Sequence, residues 1–102
     1  ESFAACEPLL LRARADLDAG RRREAALQLR IGIDAMLAEL AAAVDDDAHR
    51  KDVAALEELR PAVEAAAERA LTGDLDDESE PSIRQALETA ERILRRRRVL
   101  SG

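Results

Sequence analysis

Few side chains in this sequence are of types that could do chemistry, and their spacing limits what chemistry is open to them. Asp46 and His49 stand three residues apart, which on a helix turns two possible metal ligands to one side. A carboxylate-bridged di-metal centre in a helical bundle needs two such motifs and further inward carboxylates. The chain has one His, so that centre cannot be completed, and His49 reads as a surface or capping residue. Glu57, Glu58, Glu64 and Glu68 form a run of carboxylates on one helix. Glu57, Glu64 and Glu68 fall near one another on the polar side of their helix, away from the Leu56, Leu59 and Val63 stripe, which is the pattern of a solvated face. Cys6 has no partner for a disulfide and no Cys/His pattern for zinc, so it reads as a small apolar residue on a buried face. The segment TGDLDDESEPS, residues 72–82, carries five acids, but they are not at the offsets of a calcium loop with a mid-loop Gly and a closing Glu. No Ser/His/Asp or Cys/His set can be assembled and no glycine-rich phosphate loop is present. No catalytic residue, cofactor or metal is expected.

The strongest charge feature is Arg95, Arg96, Arg97 and Arg98. Four consecutive arginines point to all sides of a helix, so they do not form one groove-reading face, and with one aromatic, Phe3, the chain offers no stacking platform for bases. The net charge of −6 also argues against duplex nucleic acid, whose phosphates call for a basic footprint. At a helix C-terminus these cations complement the macrodipole and are placed to bridge to carboxylates. Arg21, Arg22 and Arg23 are a second basic cluster, at a helix N-terminus where the dipole opposes them; Glu24 offsets this in part, and a salt-bridged connection is expected there.

The elements that must position these groups are helical. Within Glu24–Val44, the residues Leu29, Ile33, Met36, Leu37, Leu40 and Val44 recur at three-and-four spacing. A second apolar line, Leu27, Ile31, Ala35, Ala38 and Ala42, runs beside it, leaving Arg23, Arg30, Asp34 and Ala41 for water. A helix that apolar is expected to be the central member of a bundle. Ahead of it, Phe3, Cys6, Leu10, Ala13 and Leu17 form one stripe, with Ser2 as cap, Pro8 bending the helix and Gly20 closing it. Gly32 marks a close approach by a neighbour. Asp45, Asp46 and Asp47 end the second helix and cap the third, whose apolar face is Leu56, Leu59, Val63, Ala66, Ala67, Ala70 and Leu71. Its period continues across Pro61, which predicts a kink rather than two helices. Gly73 closes it, with Leu75 tucking back as an anchor. Ser82 and Gln85 form a capping box for the fourth helix, whose stripe is Ile83, Ala86, Leu87, Ala90, Ile93 and Leu94. No strand signal appears.

Length and composition fit this. A chain of 102 residues is one domain able to fold without staples, and 47% hydrophobic with 37% charged residues excludes disorder as its default. With Phe3 the only aromatic, the core must be aliphatic and Ala-rich, with thin helices packed close. Lys51 stands alone against fifteen arginines, and there is no Asn, a high-GC codon habit as in many bacteria. No apolar run approaches a membrane span or the apolar core of a signal peptide, so a cytoplasmic setting is expected. A chain opening on Glu1 rather than Met is the expectation for a processed or excised piece.

Two segments carry a family likeness. ARADLDAGRRREAALQLRIGIDAMLAEL, residues 13–40, resembles the opening hairpin of the HEPN group, where a helix ending in a small-residue turn precedes a long helix with an EAA start. IRQALETAERIL, residues 83–94, resembles the last helix of those bundles. Together they span 40 of the 102 residues. Many HEPN proteins are ribonucleases with an Arg and, a few residues on, a His on a late helix; that motif is missing here, so the resemblance implies a non-catalytic bundle, often a dimer, that partners a nucleotidyltransferase. The first hairpin also resembles one tetratricopeptide-type repeat, but the second half does not echo the first. The Glu57, Glu58, Glu64, Glu68 group resembles the magnesium-holding carboxylates of all-α nucleotide pyrophosphohydrolases.

The expected fold is thus all-α, an antiparallel up-down four-helix bundle with a kinked third helix and helices at roughly 3–19, 22–44, 47–72 and 82–99. The expected role is a non-enzymatic interaction domain that forms a homodimer or binds a protein partner, with no membrane. Leu9 and Leu11, off the first helix's main stripe, the arginines Arg95, Arg96, Arg97 and Arg98, and the tail residues Val99 and Leu100 are the candidate interaction residues. Two rivals are an RNA-associated HEPN-like module using the four arginines, and a divalent-metal nucleotide-hydrolysing bundle using Glu57, Glu58, Glu64 or Asp46.

Overall fold

The computed structural model describes residues 4–42 and 46–101, Leu100 and Ser101 by their backbone. It contains four α-helices: α1 (Cys6–Asp18), α2 (Arg22–Leu40), α3 (Asp47–Ala70) and α4 (Glu80–Ser101), with one 3₁₀ turn at Asp77–Ser79. The described residues include no strand, so the fold is all-α, and none of its helices is long and apolar enough to cross a membrane.

α1 starts at Cys6, which puts Pro8 in the first turn. There its missing N–H has no intrahelical acceptor to lose, and no bend is needed. Ser2 and Phe3, expected as cap and first stripe residue, lie outside the described residues, as do Val44 and Asp45. Cys6, Leu10, Ala13 and Leu17 are buried as the stripe predicts. At the other end Gly20 takes φ +80°, with its N–H bonded to the Leu17 carbonyl (3.0 Å) and the Arg21 N–H to that of Asp16 (2.8 Å). That pair of bonds is the Schellman closure, and it needs a left-handed residue that glycine adopts at no steric cost.

α2 buries Leu29, Ile33, Met36 and Leu40 as expected; of its second apolar line Leu27 and Ala35 pack partly buried against the core, but the rest does not follow. Ile31 is 56% exposed, and Ala38 and Ala42 are exposed. The side assigned to water is instead turned toward α3: Arg23 Nε donates to the Ala70 carbonyl (2.6 Å), Arg30 pairs with Glu68 (3.2 Å) and Asp34 with Arg60 (2.7 Å). The close approach at Gly32 explains the rotation. A Cβ there would lie 2.9 Å from Leu10 Cδ2 and 3.5 Å from Leu9 Cβ, so this edge of α2 must face α1. Arginine stems then cover the α3 seam with their charged heads in water, and Ile31 is left on the outside.

α3 is capped by Asp46, whose Oδ2 accepts the His49 N–H at 2.9 Å with Asp46 in an extended conformation. It runs as one helix through Pro61. Leu56, Val63, Ala66, Ala67 and Ala70 are buried and Leu59 half-buried; Leu71, expected on that face, is 58% exposed because it follows the last helical residue. Leu75 is buried and does anchor the connection. α4 begins two residues before the expected capping box, so Ser82 sits inside the first turn. Just ahead of α4, Ser79 is buried, donates to Asp76 (3.0 Å) and accepts from Arg69 (3.1 Å), which ties the 3₁₀ turn to the end of α3. All six residues of the predicted α4 stripe are buried.

Candidate functional site: the α1–α4 face

Most of the groups with chemical potential are held in structural contacts. Cys6 is fully buried, and burial, followed by the Glu39 carboxylate, pushes its thiol up to about 11, far from the range of a reactive thiolate. His49, expected as a surface or capping residue, is 1% exposed and so is not at the surface. Its Nε2 lies 2.8 Å from the Leu40 carbonyl and 3.3 Å from that of Ala41, so the ring caps the C-terminus of α2 from the first turn of α3. Asp46 is spent on the helix cap and does not meet His49 through the imidazole. Glu57 and Glu58 are exposed, Glu64 pairs with Arg60 (3.5 Å) and Glu68 with Arg30 (3.2 Å). Among the described residues no group of three or more His, Cys, Asp or Glu is placed to hold a metal ion.

The basic clusters are engaged as well. Arg21 pairs with Asp16 (2.9 Å), and Arg22 bridges to Asp77 and Glu80 at the start of α4 (3.0 Å to Glu80). Hydrogen bonds from Arg22 and then Arg84 hold Glu80 below the usual glutamate range. Along the end of α4, Arg96 pairs with Asp52 (2.9 Å), Arg92 with the other oxygen of Asp52 (3.3 Å), and Arg98 with Glu7 of α1. Burial raises the Asp52 carboxyl, but the bonds from Arg96 and Arg92 outweigh it and leave the group below its ordinary value. Arg97 lends its charge to Glu39. One turn earlier, Arg14 of α1 grips Glu91 of α4 through both carboxylate oxygens (2.8 and 2.7 Å), the fork geometry that makes such pairs strong.

These bridges flank a shallow groove between α1 and α4, floored by Leu10 and Leu94 and walled by Leu11, Glu91, Arg95 and Arg98. Leu11 is 62% exposed on one wall, and Val99, 79% exposed, lies beyond the other. Arg95 is exposed and, alone among the four consecutive arginines, has no ion pair among the described residues. Of the expected interaction residues the structure therefore gathers Leu11, Arg95, Arg98 and Val99 on one face. Leu9 is half-buried against Gly32, Arg96 turns to α3, and the side chain of Leu100 lies outside the described residues. Glu7, Arg14, Asp52 and Glu91 were not legible as site residues, because their partners lie on other helices and carry no local sequence signal.

Glu39 shows how far the charge network reaches into stability. Its carboxylate accepts the Ala5 and Cys6 N–H groups, each at 3.0 Å, and so caps α1 from a different helix. The Ala5 bond chiefly, then that of Cys6, with a smaller contribution from the Arg97 charge, holds its pKa below the ordinary 4.5. A carboxyl whose folded value is depressed contributes stability above its unfolded value and loses it as pH falls through the folded one. Glu39→Gln is expected to cost about 1 kcal/mol near pH 7, the scale of a lost cap. Its melting temperature should converge on that of the wild type as pH is lowered below 4.5. A gap that stays constant down to acid pH would contradict the trans cap.

Comparison of the chain with protein-family models, with curated proteins and with solved structures gives no match.

Proposed function

We propose that this chain is a non-enzymatic helical interaction domain that pairs with a second copy of itself. The observation that carries this is the α1–α4 face, where exposed Leu11 and Val99 flank an open groove beside the unpaired Arg95. Large exposed aliphatics beside a groove are what a contact surface presents. The consumption of Cys6, His49 and Asp46 by packing and capping supports a role other than catalysis. Arg96 and Arg98, tied to Asp52 and Glu7, are poorly placed to neutralise phosphates, which weighs against the RNA-associated alternative. The likeness to non-catalytic HEPN bundles, which often pair, points the same way.

The order of cross-helix contacts supports an antiparallel up-down bundle. On α1 and α4, Glu7 meets Arg98 and Arg14 meets Glu91; on α2 and α3, Arg23 meets Ala70 and Asp34 meets Arg60. We read α3 as bent at Pro61, which cannot donate to the preceding turn and crowds it. A reducing, cytoplasmic setting suits the one free thiol. Light scattering on the eluting peak of a sizing column tests the proposal: a mass near twice the chain's 11.1 kDa is expected, and a single-chain mass at high loading contradicts it.

A further inference from the structure

The charges of α4 sort into two sets. Glu80 is held by Arg22 and Arg84, Glu91 by Arg14, Arg92 and Arg96 by Asp52, and Arg98 by Glu7. Arg97 is engaged too. Glu88 and Arg95 remain: both are exposed, and neither has an ion pair or hydrogen bond among the described residues. They stand seven residues apart on one helix, two turns and about 10.5 Å along its axis, on the same outward stripe. One is an anion and the other a cation.

We infer that the outer face of α4 pairs antiparallel with α4 of a second copy, Glu88 of each chain meeting Arg95 of the other. This rests on the self-association proposed above and names its surface. A two-fold interface must be self-complementary, with residue i meeting j and j meeting i. An unpaired acid and an unpaired base on one stripe satisfy that condition when the axis crosses α4 midway between them, beside Glu91 and Arg92. Those two point to Arg14 and Asp52 of their own chain, so they bring no unpaired like charges to the axis. The same axis sets the two α1 helices on one side of the interface. Leu11, which shares its groove with Glu91 and Arg95, then meets its copy as the apolar centre, with the two ion pairs as rim.

Charge reversal tests the pairing. Glu88→Arg sets the introduced arginine against Arg95 of the other copy, and Arg95→Glu sets the introduced glutamate against Glu88 of the other copy. Each single variant should raise the dimer dissociation constant by about tenfold or more, since both rim contacts become repulsive. The double variant should recover close to wild-type affinity, and an equimolar mixture of the two single variants should form a heterodimer. Circular dichroism checks that these exposed substitutions leave the helices intact. A dimeric wild type whose affinity survives both reversals, or a double variant no better than the singles, would overturn this surface while leaving self-association standing. A wild type that stays monomeric would overturn both.

Discussion

Gly32→Val is expected to be the most damaging single substitution on the α1–α2 seam. A Cβ at this position would already stand 2.9 Å from Leu10 Cδ2 and 3.3 Å from Leu10 Cγ. Leu10 is 1% exposed and packed in the core, so its side chain has nowhere to withdraw. Valine adds two methyls beyond that Cβ, and accommodating them means moving α1 off α2 along a seam that Leu9 also closes. Overpacking of this kind costs about 3 kcal/mol. For a domain of this size that corresponds to a fall in melting temperature of roughly 12–24 °C. The alanine variant is the informative control. It brings the same Cβ against Leu10 but nothing beyond it, and the gain of about 1 kcal/mol in helix propensity offsets part of the contact, so its loss should be well below that of valine. Thermal melts followed by circular dichroism read both. A valine variant as stable as the wild type would mean that α1 does not pack on Gly32.

His49→Ala is expected to cost about 2–4 kcal/mol, because it combines a cavity with the loss of a buried hydrogen bond. The ring is enclosed, and its Nε2 is the partner that the structure provides for the Leu40 carbonyl at the end of α2. His49→Phe separates the two contributions: it fills the space but cannot donate, so its loss should fall between those of wild type and alanine. An alanine variant within about 0.5 kcal/mol of wild type, the range of an ordinary surface substitution, would contradict the burial of the imidazole.

The contrast between Gly20 and His49 shows where sequence reading succeeds and where it stops. Gly20 was legible because the need for a left-handed residue is local and follows directly from helix geometry. The α4 stripe was legible for the same reason: Ile83, Ala86, Leu87, Ala90, Ile93 and Leu94 share one face at any helix rotation that buries Leu87. The role of His49 depends on where the α2 carbonyls lie after the chain turns, and a lone polar residue near a helix start looks like a surface residue until that is known. α2 is the intermediate case. Its helicity and main stripe followed from spacing, but two apolar lines of similar strength left its rotation open. The small Gly32, by admitting α1, decided which line went inward and left Ile31 in water. The α1–α4 face was only partly visible. Leu11, Arg95 and Val99 stood out by type, whereas the Glu88 side chain stands out only because the other charges of α4, Arg95 apart, have partners.

Sedimentation equilibrium of the wild-type chain, across a wide concentration range and at two salt concentrations, tests self-association most directly. A reversible monomer–dimer equilibrium is expected, with the dimer weakened at the higher salt because its rim is ionic. A single species of 11.1 kDa at every concentration would contradict it and would leave Leu11, Val99 and Arg95 as ordinary surface residues of a monomer.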